Sequence, residues 1–134
     1  KSFSFLIPRY SSIPNQILKS KKLFLAFFAG YTDAEGSIRI YDKRARFRIG
    51  SYDKNILDQI HKVLASLSIK SSFRLETKAG KYEKRVQNGD FYRVSLSEQV
   101  AINLCLTLLL PYLKHERRRH DAILALENVQ ARLH

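Results

Sequence analysis

Two acidic residues beside a glycine are the strongest candidates for chemistry in this chain. Asp33 and Glu35 follow the apolar segment 23–31 and precede Gly36. At the end of a helix both acids would meet the negative pole of the helix dipole, so they need a compensating cation. Neighbouring lysines or arginines would make the arrangement purely structural. A hard divalent ion, which prefers carboxylate and carbonyl oxygens, would make it a metal site.

A stripe of arginines in segment 37–51 is the second informative pattern. Apolar and polar residues alternate there with a period of two, which predicts two strands with one apolar and one basic face. A solvated strand face usually carries mixed polar residues, so arginine at every second position favours nucleic-acid binding over a plain solvated face. Arginine binds guanine in the major groove or anchors a phosphate. The predicted contact residues are Arg39, Tyr41, Arg44, Arg46, Arg48, Arg74 and Arg93.

Two further motifs are weaker. His115-Glu116 and His120 resemble a zinc-protease motif, but the histidines are five residues apart, about 140° around a helix, and cannot share an ion. The arginine run 117–119 is a phosphate contact or a solvated face. Cys105, the single cysteine, lies in an apolar run, so we expect a buried, inert thiol and an intracellular, reducing compartment.

The composition indicates one basic domain. Of 134 residues, 24 are lysine or arginine and 12 are acidic, giving a formal charge of +12, and 45% are hydrophobic. Such an excess of charge repels itself unless a polyanion shares the surface, so nucleic acid is the expected partner. The apolar stretch 100–113 contains Pro111 and is shorter than the roughly 20 residues that a membrane-spanning helix needs. We therefore expect no membrane association.

The N-terminal region has an unusual composition. The first 22 residues contain no acid and resemble an organellar transit peptide, but Pro8 and Pro14 interrupt any amphipathic helix. We expect a basic arm over residues 1–20 and a single domain over 21–134. A chloroplast or mitochondrial location stays open. The sequence has no methionine, which suggests a trimmed or processed product.

Hydrophobic periodicity predicts the elements that position these residues. A helix over 19–32 is apolar on every side, so a second copy of the chain is expected to cover part of it. Strands are predicted over 37–41 and 44–51, followed by a helix over 54–67 with Asp53 as N-cap. A second strand pair lies near 72–76 and 91–96, joined by a long basic connection with an Asn88-Gly89 turn signal. Helices over 97–110 and 114–132 complete an α+β domain, a four-stranded antiparallel sheet with helices on one face.

The segment 28–36, FAGYTDAEG, resembles the nine-residue signature of the LAGLIDADG homing endonucleases, with the small residues, the acids and the final glycine in register. The predicted order of elements is also that family's αββαββα order around a saddle-shaped sheet, so the resemblance extends over about 21–132. One copy of the motif is visible, and single-motif members of the family are homodimers. The resemblance implies that the motif helix packs against its copy through Ala26, Phe27, Ala29 and Gly30.

The resemblance also implies a metal site. In the family the last acid of each paired motif helix binds divalent metal beside the scissile phosphates, which here assigns Mg²⁺ or Mn²⁺ to Glu35 with the backbone carbonyl of Ala34. Paired carboxylates of this kind require metal between them, because they otherwise raise each other's pKa. Asp33 matches the family's other acid and is assigned a structural role.

Two further catalytic positions are implied. Ser51 falls near a position where the family often has a polar residue that organises water. The family also has a basic residue after a Pro-aromatic-Leu element, here 111–113. Glu116 occupies the best-matching position, so the basic role falls to a neighbour, and Lys114 is the chosen candidate over Arg117.

The resemblance therefore implies a homodimeric, divalent-metal-dependent, intron-encoded endonuclease that cleaves a long, roughly palindromic DNA duplex. One alternative is a non-cleaving protein on the same scaffold, either a maturase that binds intron RNA or a DNA-binding relative; Glu116 favours it. A ribosomal-type RNA-binding protein is the other, but it leaves the acid pair unexplained.

Overall fold

The computed structural model describes residues 12–133 of the chain. Its helices are α1 (Asn15–Leu18), α2 (Lys21–Glu35), α3 (Lys54–Ser66), α4 (Gln99–Leu109) and α5 (Glu116–Leu133), with a 3₁₀ turn at Leu110–Tyr112. Its strands are β1 (Gly36–Tyr41), β2 (Arg44–Ser51), β3 (Ser72–Thr77), β4 (Gly80–Tyr82), β5 (Arg85–Gln87) and β6 (Phe91–Leu96). The predicted αββαββα order is confirmed.

The main sheet is antiparallel, with the strand order β1-β2-β6-β3, and one face of it forms the core. Phe47, Ile49 and Val94 on that face are at most 1% exposed. The ring of Phe28 from α2 stacks on Phe47 with centroids 6.0 Å apart. Because side chains alternate along a strand, the arginines between these apolar residues point to the opposite face. The predicted four-stranded sheet with helices on one face is confirmed.

The β1–β2 hairpin turns through two left-handed residues, Asp42 (φ 51°) and Lys43 (φ 67°). Two-residue hairpins prefer this conformation because it matches the twist of the strands. The carbonyl of Lys43 accepts hydrogen bonds from Asn128 Nδ2 (3.1 Å) and Arg132 Nε (2.9 Å). The tip of the hairpin is thereby tied to the C-terminal half of α5.

Helix α2 extends to Glu35, so the predicted end at Thr32 is wrong. It begins after Ser20, whose side chain accepts a hydrogen bond from the Leu23 N–H at 3.2 Å and caps the helix. The final turn includes both acids because Arg118 of α5 donates from Nε to the Thr32 carbonyl at 3.2 Å. This cation compensates the negative helix end, which local sequence could not show.

The connection between β3 and β6 contains a hairpin that the sequence did not predict. Strands β4 and β5 pair from Gly80↔Gln87 to Tyr82↔Arg85 and form a separate two-stranded sheet. The turn of this hairpin lies at Glu83, which has a φ of 41°, whereas the Asn88-Gly89 turn signal falls between β5 and β6, where the chain bends at Gly89. Exposed polar residues dominate this segment and give no clear alternation.

Residues 12–20 of the predicted arm pack on the domain. Ile13 is 2% exposed, and its backbone N–H donates to Gln59 Oε1 of α3 at 2.6 Å. Residues 1–11 of the predicted arm lie outside the described residues. Within residues 12–133, none of the helices has the length and apolar character needed to cross a membrane.

Candidate metal centre and nucleic-acid interface

Glu35 is the last residue of α2, and its side chain is exposed. Partial desolvation raises the pKa of Glu35, the negative charge of Asp53 raises it further, and the Arg118 guanidinium opposes both effects. The half-buried Ala34 precedes it at the C-terminal end of the helix, where carbonyl groups lack helical partners. Carboxylate and carbonyl oxygens form a donor set that suits Mg²⁺ or Mn²⁺.

The acids of one chain do not complete a metal site. Within residues 12–133, no three His, Cys, Asp or Glu side chains converge on a point that could hold an ion. One carboxylate oxygen of Asp33 already has a hydrogen-bond partner: Oδ2 accepts from the backbone N–H of Lys114 at 2.9 Å. Its Oδ1 is buried without a hydrogen-bond partner among the described residues. The hydrogen bond between Asp33 and the Lys114 N–H connects the end of α2 to the segment that leads into α5.

A buried hydrogen-bond cluster lies one helical turn before Glu35. The hydroxyl of Tyr31, fully buried, lies 2.8 Å from Ser51 Oγ and 3.0 Å from Asp53 Oδ2. Ser51 Oγ also lies 3.1 Å from Asp53 Oδ2 and accepts from the Asp53 N–H at 3.0 Å. Burial is the main cause that raises the pKa of Tyr31. The cluster fixes the end of α2 to the end of β2.

Asp53 does not have the predicted capping role. It occupies the N-cap position of α3, but its side chain makes no capping hydrogen bond. The carboxylate is turned towards Tyr31 and Ser51 instead. The sequence assigned Asp53 from its position before an apolar period, and no local signal shows that the hydroxyls of Ser51, two residues earlier, and of the distant Tyr31 compete for its carboxylate.

The three consecutive arginines of α5 have different environments. Arg117 lies 3.7 Å from Asp121 in an exposed ion pair. Arg119 donates from Nη1 to the carbonyls of Leu110 (2.8 Å) and Leu113 (3.3 Å), which closes the 3₁₀ turn. The solvated-face interpretation therefore holds for Arg117, and Arg119 has a structural role that the sequence did not predict.

Arg118 is the cation that acts on Glu35. Its Nε bonds to the Thr32 carbonyl, and it lowers the pKa of Glu35. Lys114 reaches this region through its backbone N–H and is otherwise exposed, as is Glu116. Sequence reasoning missed Arg118 because only the docking of α5 against α2 distinguishes it from its two neighbours.

A groove of about 620 Å³ lies between β1 and the N-terminal half of α5. Its lining includes Gly36, Arg39, Arg117, Arg118 and Asp121. The groove starts at Gly36, the residue that follows Glu35, and leads to Arg39 of β1. It connects the candidate metal ligand to the basic surface of the sheet.

The outer surface of the main sheet, which we call the arginine face, carries the side chains of Arg39, Arg44, Arg46, Arg48, Arg74 and Arg93 with Ser37 and Tyr41. Arg39 lies directly opposite Arg46, and Arg74 lies directly opposite Arg93. Like charges at paired positions are unfavourable. Beside them is a concavity of about 300 Å³, where the Arg46 guanidinium covers the Tyr41 ring at 5.2 Å. The structure thus brings the predicted arginines onto one open, concave surface.

The outward face of α2 is apolar. Leu23 is 50% exposed, Ala26 is exposed, and Phe27 and Gly30 are half-buried. Ala29 is fully buried within its own chain, so its assignment to this face is wrong. A helix that is apolar all round gave no information on which alanine points outward.

A family model described as a LAGLIDADG-like domain matches residues 23–101. No curated protein matches the chain significantly. The chain is similar to the crystal structure of the homing endonuclease I-CvuI in complex with its target Sro1.3 in the presence of 2 mM Ca, with 22% identity and a TM-score of 0.61 over 81% of this chain and 67% of that chain. It is also similar to I-CvuI in complex with an I-CreI target in 2 mM Mg, where the DNA is not cleaved, with 21% identity and a TM-score of 0.58 over the same shares.

Proposed function

Because the chain belongs to the LAGLIDADG-like domain family, we propose that it is a homing endonuclease that hydrolyses double-stranded DNA at a specific site with divalent metal, as a homodimer. The arginine face carries this proposal. It places Arg39 directly opposite Arg46 on a surface that no helix of residues 12–133 covers, so a bound polyanion would relieve the repulsion between these two cations. The major groove of DNA admits such a ribbon of strands.

The outward face of α2 is the proposed contact with the second copy. Ala26 and Gly30 are four residues apart, so they lie on one side of the helix, where the single methyl group of Ala26 and the bare backbone of Gly30 allow another helix to approach closely. Leu23 and Phe27 extend the apolar surface along the same side. Association would bring two Glu35 carboxylates together and complete the donor set that one chain lacks.

The proposed metal ligands are Glu35 and the Ala34 carbonyl of each copy. Bound Mg²⁺ or Mn²⁺ activates water and stabilises the leaving oxygen in phosphodiester hydrolysis. The chain itself positions the ligand: Asp33 holds the Lys114 amide, and Tyr31 holds Ser51 and Asp53 beneath the last turn of α2. The Ser51 hydroxyl is buried and bonded, so we assign it a positioning role.

Arg118 is the proposed basic residue of the site. Its Nε is committed to the Thr32 carbonyl, which leaves its terminal nitrogens to face a phosphate in the groove beside Glu35. Lys114, on the exposed segment that precedes α5, is a second cation within the same region. Positive charge there stabilises the negative charge that develops on the phosphate during hydrolysis.

Selection from a random duplex library tests the proposal. The purified chain is expected to retain duplexes in Ca²⁺ and to cleave the same duplexes in Mg²⁺. Glu35→Gln is expected to abolish cleavage and keep binding, whereas Glu127→Gln, an exposed acid of α5, is expected to behave as the wild type. Retention without cleavage in Mg²⁺ would identify a non-cleaving DNA-binding protein. Retention of intron RNA in preference to duplex DNA would identify a maturase.

A further inference from the structure

Arg93 differs from the other arginines of the arginine face. Its side chain is 22% exposed, whereas the remaining arginines of that surface are exposed. Nε of Arg93 donates to Glu76 Oε1, and Nη2 donates to Glu76 Oε2 at 3.1 Å. The guanidinium is therefore held along one edge by a bidentate ion pair.

Glu76 needs an explanation because it is the only acidic residue in the four strands of the main sheet. A carboxylate on a surface that binds a polyanion is repelled by it. The pairing register shows how Glu76 reaches Arg93. Leu75 pairs with Tyr92 and Thr77 pairs with Phe91, so Glu76 is the extra residue of a β-bulge. Bulges redirect side chains, and this one directs the carboxylate to Arg93.

Two further residues fix the guanidinium. Arg93 Cζ lies 5.7 Å from the centre of the Phe91 ring. On the neighbouring strand Gly50 pairs directly with Arg93, and a Cβ at Gly50 would lie 2.7 Å from the Phe91 ring and 3.4 Å from Arg93 Cζ. A glycine inside a strand often marks such a close approach. The absent side chain leaves the space that Phe91 and Arg93 occupy.

The contact with Glu76 leaves the end of the guanidinium available. It uses the edge formed by Nε and Nη2, and within residues 12–133 Nη1 makes no hydrogen bond. An N–H from each terminal nitrogen can then donate to O6 and N7 of guanine, the geometry of the commonest specific contact in the major groove. A phosphate anchor gains from a full positive charge, which Glu76 cancels. A base contact gains from a fixed orientation, which Glu76 provides.

We propose that Arg93 binds one guanine in each half of the target and that Glu76 determines the specificity of this contact by orienting the guanidinium. The inference rests on the proposed function, since it assumes that the arginine face lies in the major groove. Glu76 also stays ionised on this surface, because the hydrogen bond from Arg93 lowers its pKa. Glu76 is thus a positioning residue, and Arg93 is the contact residue.

The test measures binding to the selected duplex and to variants with each base pair replaced in turn, in Ca²⁺. For the wild type we expect a guanine preference of roughly 10- to 100-fold at one symmetric pair of positions, the range of a good bidentate contact. Arg93→Gln is expected to remove the preference at that pair only. Glu76→Gln is expected to reduce it to about threefold or less, because the guanidinium loses its fixed orientation, and to tighten binding to unrelated duplex DNA.

Glu98→Gln is the matched control, because Glu98 also pairs with a cation, Lys70 at 2.8 Å, but lies outside the strands. It is expected to leave the profile unchanged. A uniform loss of affinity across all duplexes in Arg93→Gln would make Arg93 a phosphate anchor and overturn the proposal. An unchanged profile in Glu76→Gln would remove the role of Glu76. After either of these variant results, cleavage of the selected duplex by the wild type would still support the proposed function. A wild type that selects no duplex would instead overturn the proposed function and the role of Arg93 together.

Discussion

Removal of one hydroxyl tests how the end of α2 is held. In Tyr31→Phe the ring stays in place, but the hydrogen bonds to Ser51 Oγ (2.8 Å) and Asp53 Oδ2 (3.0 Å) are lost. Hydrogen bonds to charged groups contribute about 1.5–3 kcal/mol. Ser51 and Asp53 keep their contacts with each other at 3.0–3.1 Å, which limits the loss. We expect the free energy of unfolding to fall by about 2 kcal/mol, a decrease in Tm of roughly 6–8 °C for a domain of this size.

Thermal unfolding followed by circular dichroism at a fixed protein concentration measures this change, since association shifts the apparent stability. Tyr92→Phe is the control, because within residues 12–133 the Tyr92 hydroxyl has no hydrogen-bond partner, and its change should stay within about 0.5 kcal/mol. Tyr31→Phe is also expected to slow cleavage more than it weakens DNA binding, since Tyr31 lies one turn before Glu35. Equal Tm values for the two variants would refute the reasoning that the cluster anchors α2.

The remaining predictions concern the site, the contact between copies and the core. Without metal at neutral pH, Glu35→Gln should raise Tm, because the raised pKa of Glu35 means that the folded state disfavours the charged carboxylate. The stability of the wild type falls as pH rises through this pKa, so the Tm gain of the variant should vanish below about pH 4, where the carboxyl is protonated in both states. A Tm gain that persists below that pH would contradict the electrostatic cause given for Glu35. Arg118→Gln should slow single-turnover cleavage about 100-fold, whereas Arg117→Gln, which loses a surface ion pair, should not; equal rates would remove Arg118 from the site. Ala26→Arg should convert a dimer into a monomer in sedimentation equilibrium, and an unchanged mass would exclude this face of α2. Burial raises the pKa of the Cys105 thiol, so thiol reagents should modify it only on unfolding, and rapid labelling of the folded chain would contradict its burial.

The sequence predicts the parts of the fold that depend on local periodicity. Alternation in β1 and β2 places Arg39 and Arg46 on one surface, and the paired register confirms this. Helical periodicity predicts a helix over 54–67, and α3 extends over Lys54–Ser66. The segment 28–36 identifies the family, which the family model confirms. Each of these signals lies within a few consecutive residues, so a single sequence contains it.

The parts that were not predicted depend on contacts between distant segments. Glu76 contacts Arg93 of β6 because a bulge in β3 directs its side chain there. The position of this bulge depends on how the two strands pair, which the sequence of neither strand indicates. Arg118 is one of three equivalent arginines until α5 docks on α2. Asp53 fits an N-cap by position, but Tyr31 and Ser51 from two other elements take its carboxylate.

The attachment of the β1–β2 tip to α5 determines how the arginine face meets its target. With the Lys43 carbonyl bound by Asn128 and Arg132, and the other end of the hairpin joined to α2, the arginines between these points keep a set spacing before any duplex arrives. Little conformational entropy is then lost on contact. We therefore expect the surface to favour a groove of matching width, because bending the hairpin to follow another groove would break the hydrogen bonds at Lys43.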